Sequence, residues 1–262
     1  MFENIEAIFF DMNGTLRTRE LPQAVKPQAG LLPAVQPQAV QPAALKRILT
    51  LLGKDGVPDS FWEELSRRFD AYGVWAQGRR LQLSESEIWT RWLLPDEPPG
   101  PVAANAAELM LAWMERKGVA AAKPGAQQIL HELKRRGYRL GIISNTMSTL
   151  DLPRFIDAVG WNPYFDAVIL SSDLKSRKPA PDLFVKAAQS IHLDPVYCAY
   201  VGNRIAKDMV GCKGAGYGLG ILIETAGPPR PDEQNQTVQP DITIHSLGEL
   251  LDIFTAKQAQ PA

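Results

Sequence analysis

The spacing of apolar residues changes character along this chain. Ile5 to Phe10 form a short, nearly continuous apolar run that ends on Asp11 and the turn Asn13-Gly14, which predicts a buried strand, EAIFFD, with a loop at its carboxyl end. From Ala43 to Gly118 the apolar positions recur at helical spacing. ALKRILTLLG stops at Gly53, FWEELSRRFDAYGVW and IWTRWLL follow, and VAANAAELMLAWMERKG closes at Gly118 after the break DEPPGP. Ser60 with Glu63, and Ser84 with Glu87, have the spacing of capping boxes ahead of the two middle helices.

After Lys123 the rhythm becomes helix then strand. PGAQQILHELKRRG predicts a helix with basic residues in its last turn and Gly137 as its stop. YRLGIISN, FDAVILSSD, CAYVGN, GLGILIE and DITIH predict strands; LPRFIDAVG, PDLFVKAAQSIH, KDMVGCKGAG and SLGELLDIF predict the helices between and after them. Such alternation implies a parallel sheet covered on both faces. The expected fold class is therefore α/β: a Rossmann-like, doubly wound parallel sheet formed by residues 1–16 and 123–262, split by an α-helical insertion over 17–122.

One stretch fits neither pattern. Residues 22–42 read PQAVKPQAGLLPAVQPQAVQP, with PQA recurring at Pro22, Pro27 and Pro37. Prolines this dense remove amide donors and fix φ, which predicts an extended linker within the insertion.

Composition narrows the classes. The 262 residues are 45% hydrophobic and 22% charged with a formal net charge of -1, which argues against a general nucleic-acid binder. Cys198 and Cys212 make neither a disulfide framework nor a metal-ligand spacing, so a reducing compartment is expected. MFENIEAIFF lacks a basic segment ahead of its apolar run, and no stretch approaches the ~18 apolar residues of a membrane span. A cytoplasmic chain without membrane partners is the expectation; oligomeric state is not legible.

In an open α/β sheet, ligands bind at the carboxyl ends of the strands. The polar residues that follow the predicted strands are Asp11, Asn13 and Thr15; Ser144, Asn145 and Thr146; Ser171, Ser172, Asp173 and Lys178; and Asn203 and Asp208. A carboxylate nucleophile, hydroxyls, a lysine and a further carboxylate on one edge suit a reaction at phosphorus.

DMNGT, ISNT, SRKPAPDLF and VGNRIAKD, in that order and each after a predicted strand, resemble the four motifs of the haloacid dehalogenase superfamily of hydrolases, most of them phosphatases. The resemblance implies Asp11 as nucleophile, Lys178 as the charge-stabilising lysine, and Ser144, with Thr15 and Asn145, as substrate-binding. It implies Mg²⁺ as cofactor at Asp11, Asn13, Asn203 and Asp208, a small phosphate ester as substrate, and a mobile cap in the insertion. Two positions depart from the family pattern. Asn13 stands where the family has an aspartate that transfers protons, and Asn203 stands where the fourth motif has its first aspartate. An amide cannot transfer that proton, a loss worth about 10²–10⁴-fold. A slow Mg²⁺-dependent phosphatase with Asp11, Asn13 and Lys178 as its catalytic set is therefore the leading expectation. A metal-independent 2-haloacid dehalogenase and a catalytically impaired ligand- or partner-binding protein are the alternatives.

Other residues have plainer readings. His131, His192 and His245 are scattered on or beside helices. Trp62, Trp75, Trp89, Trp92 and Trp113 recur at helical spacing and predict the core of the insertion. Arg67–Arg68 and Arg79–Arg80 predict a solvated helix face.

Overall fold

The computed structural model describes residues 4–20, 42–224, 233 and 236–257. Six strands form one parallel sheet in the order β5-β4-β1-β6-β7-β8: β1 Ala7–Phe10, β4 Arg139–Ser144, β5 Ala167–Leu170, β6 Cys198–Gly202, β7 Leu219–Ile223 and β8 Ile242–Ile244. β1 lies in the middle, with Ala7 opposite Arg139 of β4 on one side and Cys198 of β6 on the other.

The β1 run is apolar throughout because both sheet faces are covered. Ile8 and Phe10 join a core with Leu130 and Leu133 of α6 (Ala126–Arg135) and Phe155 and Ile156 of α7 (Asp151–Ala158). Ala7 and Phe9 join the opposite core with Leu183, Phe184 and Ala187 of α9 (Pro181–Ser190). This is the doubly wound arrangement expected from the alternating pattern.

The insertion is helical, as its spacing predicts, with α1 Pro42–Leu52, α2 Asp59–Arg79, α3 Glu85–Ile88, α4 Pro99–Ala104 and α5 Ala106–Glu115. It has its own core of Leu65, Phe69, Tyr72, Trp89, Leu109 and Trp113, against which Trp62, Trp75 and Trp92 pack. Arg67 and Arg68 pair with Glu64 on the exposed side, as a solvated face should.

Several local expectations fail for identifiable reasons. The Ser60–Glu63 capping box does not form, because Pro58, with its fixed φ, precedes a helix that already starts at Asp59. The Ser84–Glu87 box does form. The long helix expected over VAANAAELMLAWMERKG breaks at Asn105, whose side-chain amide donates to the Leu51 and Pro101 carbonyls. Pro42, counted in the linker, opens α1, since proline suits a first helical turn; residues 22–41 lie outside the described residues.

The sequence pattern gave no sign of a second sheet. β2 Arg17–Glu20 pairs antiparallel with β3 Val119–Ala122, Arg17 opposite Ala122, so a two-stranded ribbon joins the insertion to the main sheet. RTRE and VAAA are short and lack the β-branched runs that signal strands. Among the described residues no helix is long and apolar enough to cross a membrane.

Candidate active site

Asp11, Asn13 and Thr15 follow β1, Ser144 and Asn145 close β4, and Lys178 precedes α9. Asn203 follows β6, with Asp208 in the helical turn Ile205–Met209 beyond it, whereas Ser171, Ser172 and Asp173 open a short helix, α8 (Ser171–Leu174), after β5. Asp11 follows β1, its N–H donating to the Val201 carbonyl at 2.9 Å. Gly14 then turns the chain at φ +90°, and any side chain there would run into the Asn203 amide. Gly202 ends β6, and a Cβ on it would meet the Asp208 carboxyl. The two glycines thus let the β1 and β6 loops close around one point.

At that point sits the ammonium of Lys178, 2% exposed. Its three N–H groups face Asp11 Oδ1, Asp208 Oδ1 and the Tyr200 hydroxyl, each at 2.7 Å, with the Ile143 carbonyl at 3.0 Å, an oxygen that also accepts from the Tyr200 hydroxyl. Burial alone would lower the Lys178 pKa, but Asp11 and Asp208 outweigh it and hold the lysine above its usual range. Burial raises the Asp11 carboxyl above its ordinary value, opposed by Lys178 and reinforced by the second carboxylate of Asp208.

Asp208 has both oxygens engaged. Oδ1 meets Lys178 and Tyr200, while Oδ2 accepts from the Asn203 and Arg204 N–H groups at 3.1 and 3.0 Å. Asn145, expected to touch substrate, spends its amide on the lysine's backbone: Oδ1 accepts from the Lys178 N–H at 2.8 Å and Nδ2 donates to the Lys178 carbonyl at 3.1 Å. It fixes the lysine in place. Asn13 is likewise committed, its Oδ1 accepting from Arg17 Nε at 2.8 Å. Thr15 Oγ1, Ser144 Oγ and Asn203 Oδ1 are buried without a hydrogen-bond partner among the described residues. These three oxygens have hydrogen-bonding capacity that the protein itself does not use.

A second charged group lies outside the four motifs. Arg17, 1% exposed, donates from Nη2 to Asp151 Oδ2 at 2.5 Å, and Arg19 donates to Asp151 Oδ1 at 2.6 Å. Burial tends to raise the Asp151 carboxyl, but the two guanidinium groups prevail and hold it below its ordinary range. Arg17 and Arg19 alternate on one face of β2, and that i, i+2 pairing was the available signal. Tyr200, buried between Lys178 and Asp208, was also missed; it is a polar-tipped residue inside an otherwise apolar strand.

A cavity of about 560 Å³ opens between the sheet edge and the insertion. It is lined on one side by Asn13, Arg17, Asn145 and Arg177, and on the other by Phe69, Met114 and Lys117. Asp11 and Lys178, nearly covered, do not themselves line it. None of the histidines lines it either: His131 stacks edge-on with Tyr164, and His245 pairs with Glu224.

The model of the haloacid dehalogenase-like hydrolase family matches residues 5–216. The sequence is 28% identical to a glyceraldehyde 3-phosphate phosphatase of Methanopyrus kandleri over 130 residues, which is 50% of this chain and 55% of that one. It is 27% identical to a phosphoserine phosphatase of Thermus thermophilus over 238 residues, covering 81% of this chain and 92% of the relative. The chain thus spans about half the length of the first relative and most of the second. Its fold matches a 2-haloacid dehalogenase of Pseudomonas syringae pv. Tomato DC3000 with a TM-score of 0.62 and 20% identity, over 95% of this chain and 97% of that one. At that identity the likeness is one of fold.

Proposed function

The chain belongs to the haloacid dehalogenase-like hydrolase family, and from that premise we propose that it is a phosphatase of small phosphate esters, with Asp11 as its nucleophile. The observation that carries the reading is the Lys178 ammonium shared at 2.7 Å between Asp11 and Asp208, beside the partnerless hydroxyls of Thr15 and Ser144. A phosphoryl group has the oxygens to accept from both hydroxyls, and the lysine offsets charge that collects as Asp11 approaches phosphorus.

The carboxylate oxygen of Asp11 attacks phosphorus, the ester oxygen departs with its electron pair, and an aspartyl-phosphate remains. Water then attacks that phosphorus and returns free Asp11 and inorganic phosphate. The departing oxygen needs a proton. Asn13 has none to give, so that proton comes from solvent and turnover is slow for poor leaving groups.

The donor set fits Mg²⁺. All candidate ligands are hard oxygens, and Asn203 Oδ1 is a buried oxygen without a partner. Asp11, the Asn13 main-chain carbonyl and Asn203 would hold the ion; Asp208, expected as a further ligand, has both oxygens engaged and would instead stand behind them, orienting Lys178 and the Asn203 backbone. When bound, the ion neutralises phosphoryl oxygen charge. With one amide in place of a carboxylate, its affinity is low.

The insertion over residues 17–122 is, on this reading, a cap that closes on the substrate through Phe69, Met114 and Lys117. A metal-independent 2-haloacid dehalogenase is the second reading, favoured by the full engagement of Asp208, which leaves Asp11 as the site's available carboxylate. The two separate in one experiment: a panel of phosphate esters and 2-haloacids assayed with Mg²⁺ and with chelator, using Asp11→Ala as the blank. Mg²⁺-dependent phosphate release supports the phosphatase. Chelator-resistant halide release replaces it, and neither product would leave a binding protein.

A further inference from the structure

Arg177 is 7% exposed and has no carboxylate within ion-pair distance among the described residues. One of its terminal nitrogens, Nη1, donates to Gln82 Oε1, while Nε is buried without a partner. Gln82 presents its oxygen because its nitrogen is held by the Tyr72 hydroxyl at 3.1 Å and the Leu83 carbonyl at 2.9 Å. A buried cation faced only by a neutral amide is costly. Arg17, on the same cavity, has Asp151 as its counter-charge; Arg177 has none.

Lys117 stands on the insertion side, exposed, with its ammonium 5.5 Å from the Phe69 ring centre; Asp70 attracts it from beyond ion-pair distance, and no carboxylate among the described residues pairs with it directly. Both line the 560 Å³ cavity, whose charged lining is Arg17, Arg19, Lys117 and Arg177 against the single carboxylate of Asp151. Arg177 is also the chain neighbour of Lys178, so their Cα atoms lie about 3.8 Å apart. Asn145, which grips the Lys178 backbone on both sides, lines the same cavity as Arg177.

We propose that Arg177 and Lys117 form a subsite for a second anionic group, carboxylate or phosphate, so that the preferred esters are short molecules with an acid at one end and the phosphoryl group at the other. This rests on Asp11 being the residue that meets the phosphoryl group. Arg177 also braces the insertion, since its N–H donates to the Arg80 carbonyl at 3.1 Å. Bracing alone would affect melting temperature and not the choice between anions.

The test is isothermal titration of the full chain, at fixed Mg²⁺, with non-hydrolysable phosphonates. Methylphosphonate is the single-anion reference, phosphonoacetate and 3-phosphonopropionate carry a carboxylate, and methylenebisphosphonate carries a second phosphate-like group. At least one two-anion probe is expected to bind about ten- to a hundredfold tighter than the reference, the gain of a charge-assisted contact; the winning arm names the group. Arg177→Met should collapse that ratio to within about threefold, and the exposed Lys117→Met should reduce it in a chain that remains folded. Equal affinities in the wild type, or a ratio that survives both substitutions, overturn the subsite. If Arg177→Met does not fold, an unchanged ratio in Lys117→Met overturns it alone. A ratio that holds while no phosphate ester is hydrolysed removes the phosphatase reading and keeps the subsite. Hydrolysis with a flat ratio does the reverse.

Discussion

Arg17 holds Asn13: its Nε donates to the asparagine's Oδ1 at 2.8 Å, and the same guanidinium is anchored through Nη2 to Asp151 at 2.5 Å. On the phosphatase reading proposed above, the position from which a proton donor would serve the leaving group is held by an amide locked to a buried arginine.

Restoring the acid by Asn13→Asp should accordingly do little by itself. The new carboxylate would stand against Arg17, which favours its charged form and denies it a proton near neutral pH. Turnover of a phosphate ester should rise by less than about tenfold, whereas Asn13→Asp combined with Arg17→Gln should gain about 10²-fold or more. Steady-state kinetics on the three chains decide this, and a large gain from Asn13→Asp alone would count against the Arg17 lock.

Without an acid at residue 13, rate should track the leaving group. Across a series from activated aryl phosphates to alkyl phosphates, kcat/KM should fall by about 10²–10⁴-fold as the leaving alcohol becomes more basic. A flat series would mean that some other side chain supplies the proton.

Asp151→Asn should be among the more damaging single changes to stability. It leaves Arg17 buried without its counter-ion, a loss of about 3–5 kcal/mol for a fully buried pair, readable by urea unfolding. The pH dependence has a definite sign. Because Arg17 and Arg19 hold the folded Asp151 carboxyl below its ordinary value, its contribution is present above about pH 4 and is lost as pH falls through the lowered value. The gap between wild type and Asp151→Asn should therefore close in acid. A gap that is constant with pH would mean that the pair contributes nothing as charges.

The Asp11 carboxyl behaves in the opposite direction. Burial raises it, so the ionised nucleophile is lost at a higher pH than an ordinary carboxylate would allow. In the metal-free protein the Asp11 carboxyl should therefore protonate above the usual carboxylate range, read by carboxyl NMR titration against Asp11→Asn, and protonation at or below that range would contradict the buried environment.

The sequence made the main sheet legible because strands buried on both faces are written as unbroken apolar runs: AIFF, GIIS and CAYVG each stand where expected. Asp11, Ser144 and Asn203 were legible as residues at strand ends, Asp208 as part of the VGNRIAKD motif that runs on into a helical turn, and Lys178 as part of the SRKPAPDLF motif. What they do with their side chains was not. That Asn145 braces the Lys178 backbone, or that Arg17 takes the oxygen of Asn13, depends on contacts between segments distant in sequence or on the fold of a ribbon too short to signal itself. The Arg177 and Lys117 cations were invisible for a different reason. An unpaired charge can be recognised only once the partners it lacks have been located in space.

The central claim is that Asp11 carries the phosphoryl group. Acid-quenching a single turnover of a good phosphate ester with Mg²⁺, followed by peptide mass spectrometry, tests it directly. The account predicts one phosphoryl group on the peptide containing Asp11, absent in Asp11→Asn, whose turnover is lost. Phosphate release with an unlabelled Asp11, or undiminished turnover in Asp11→Asn, would contradict it.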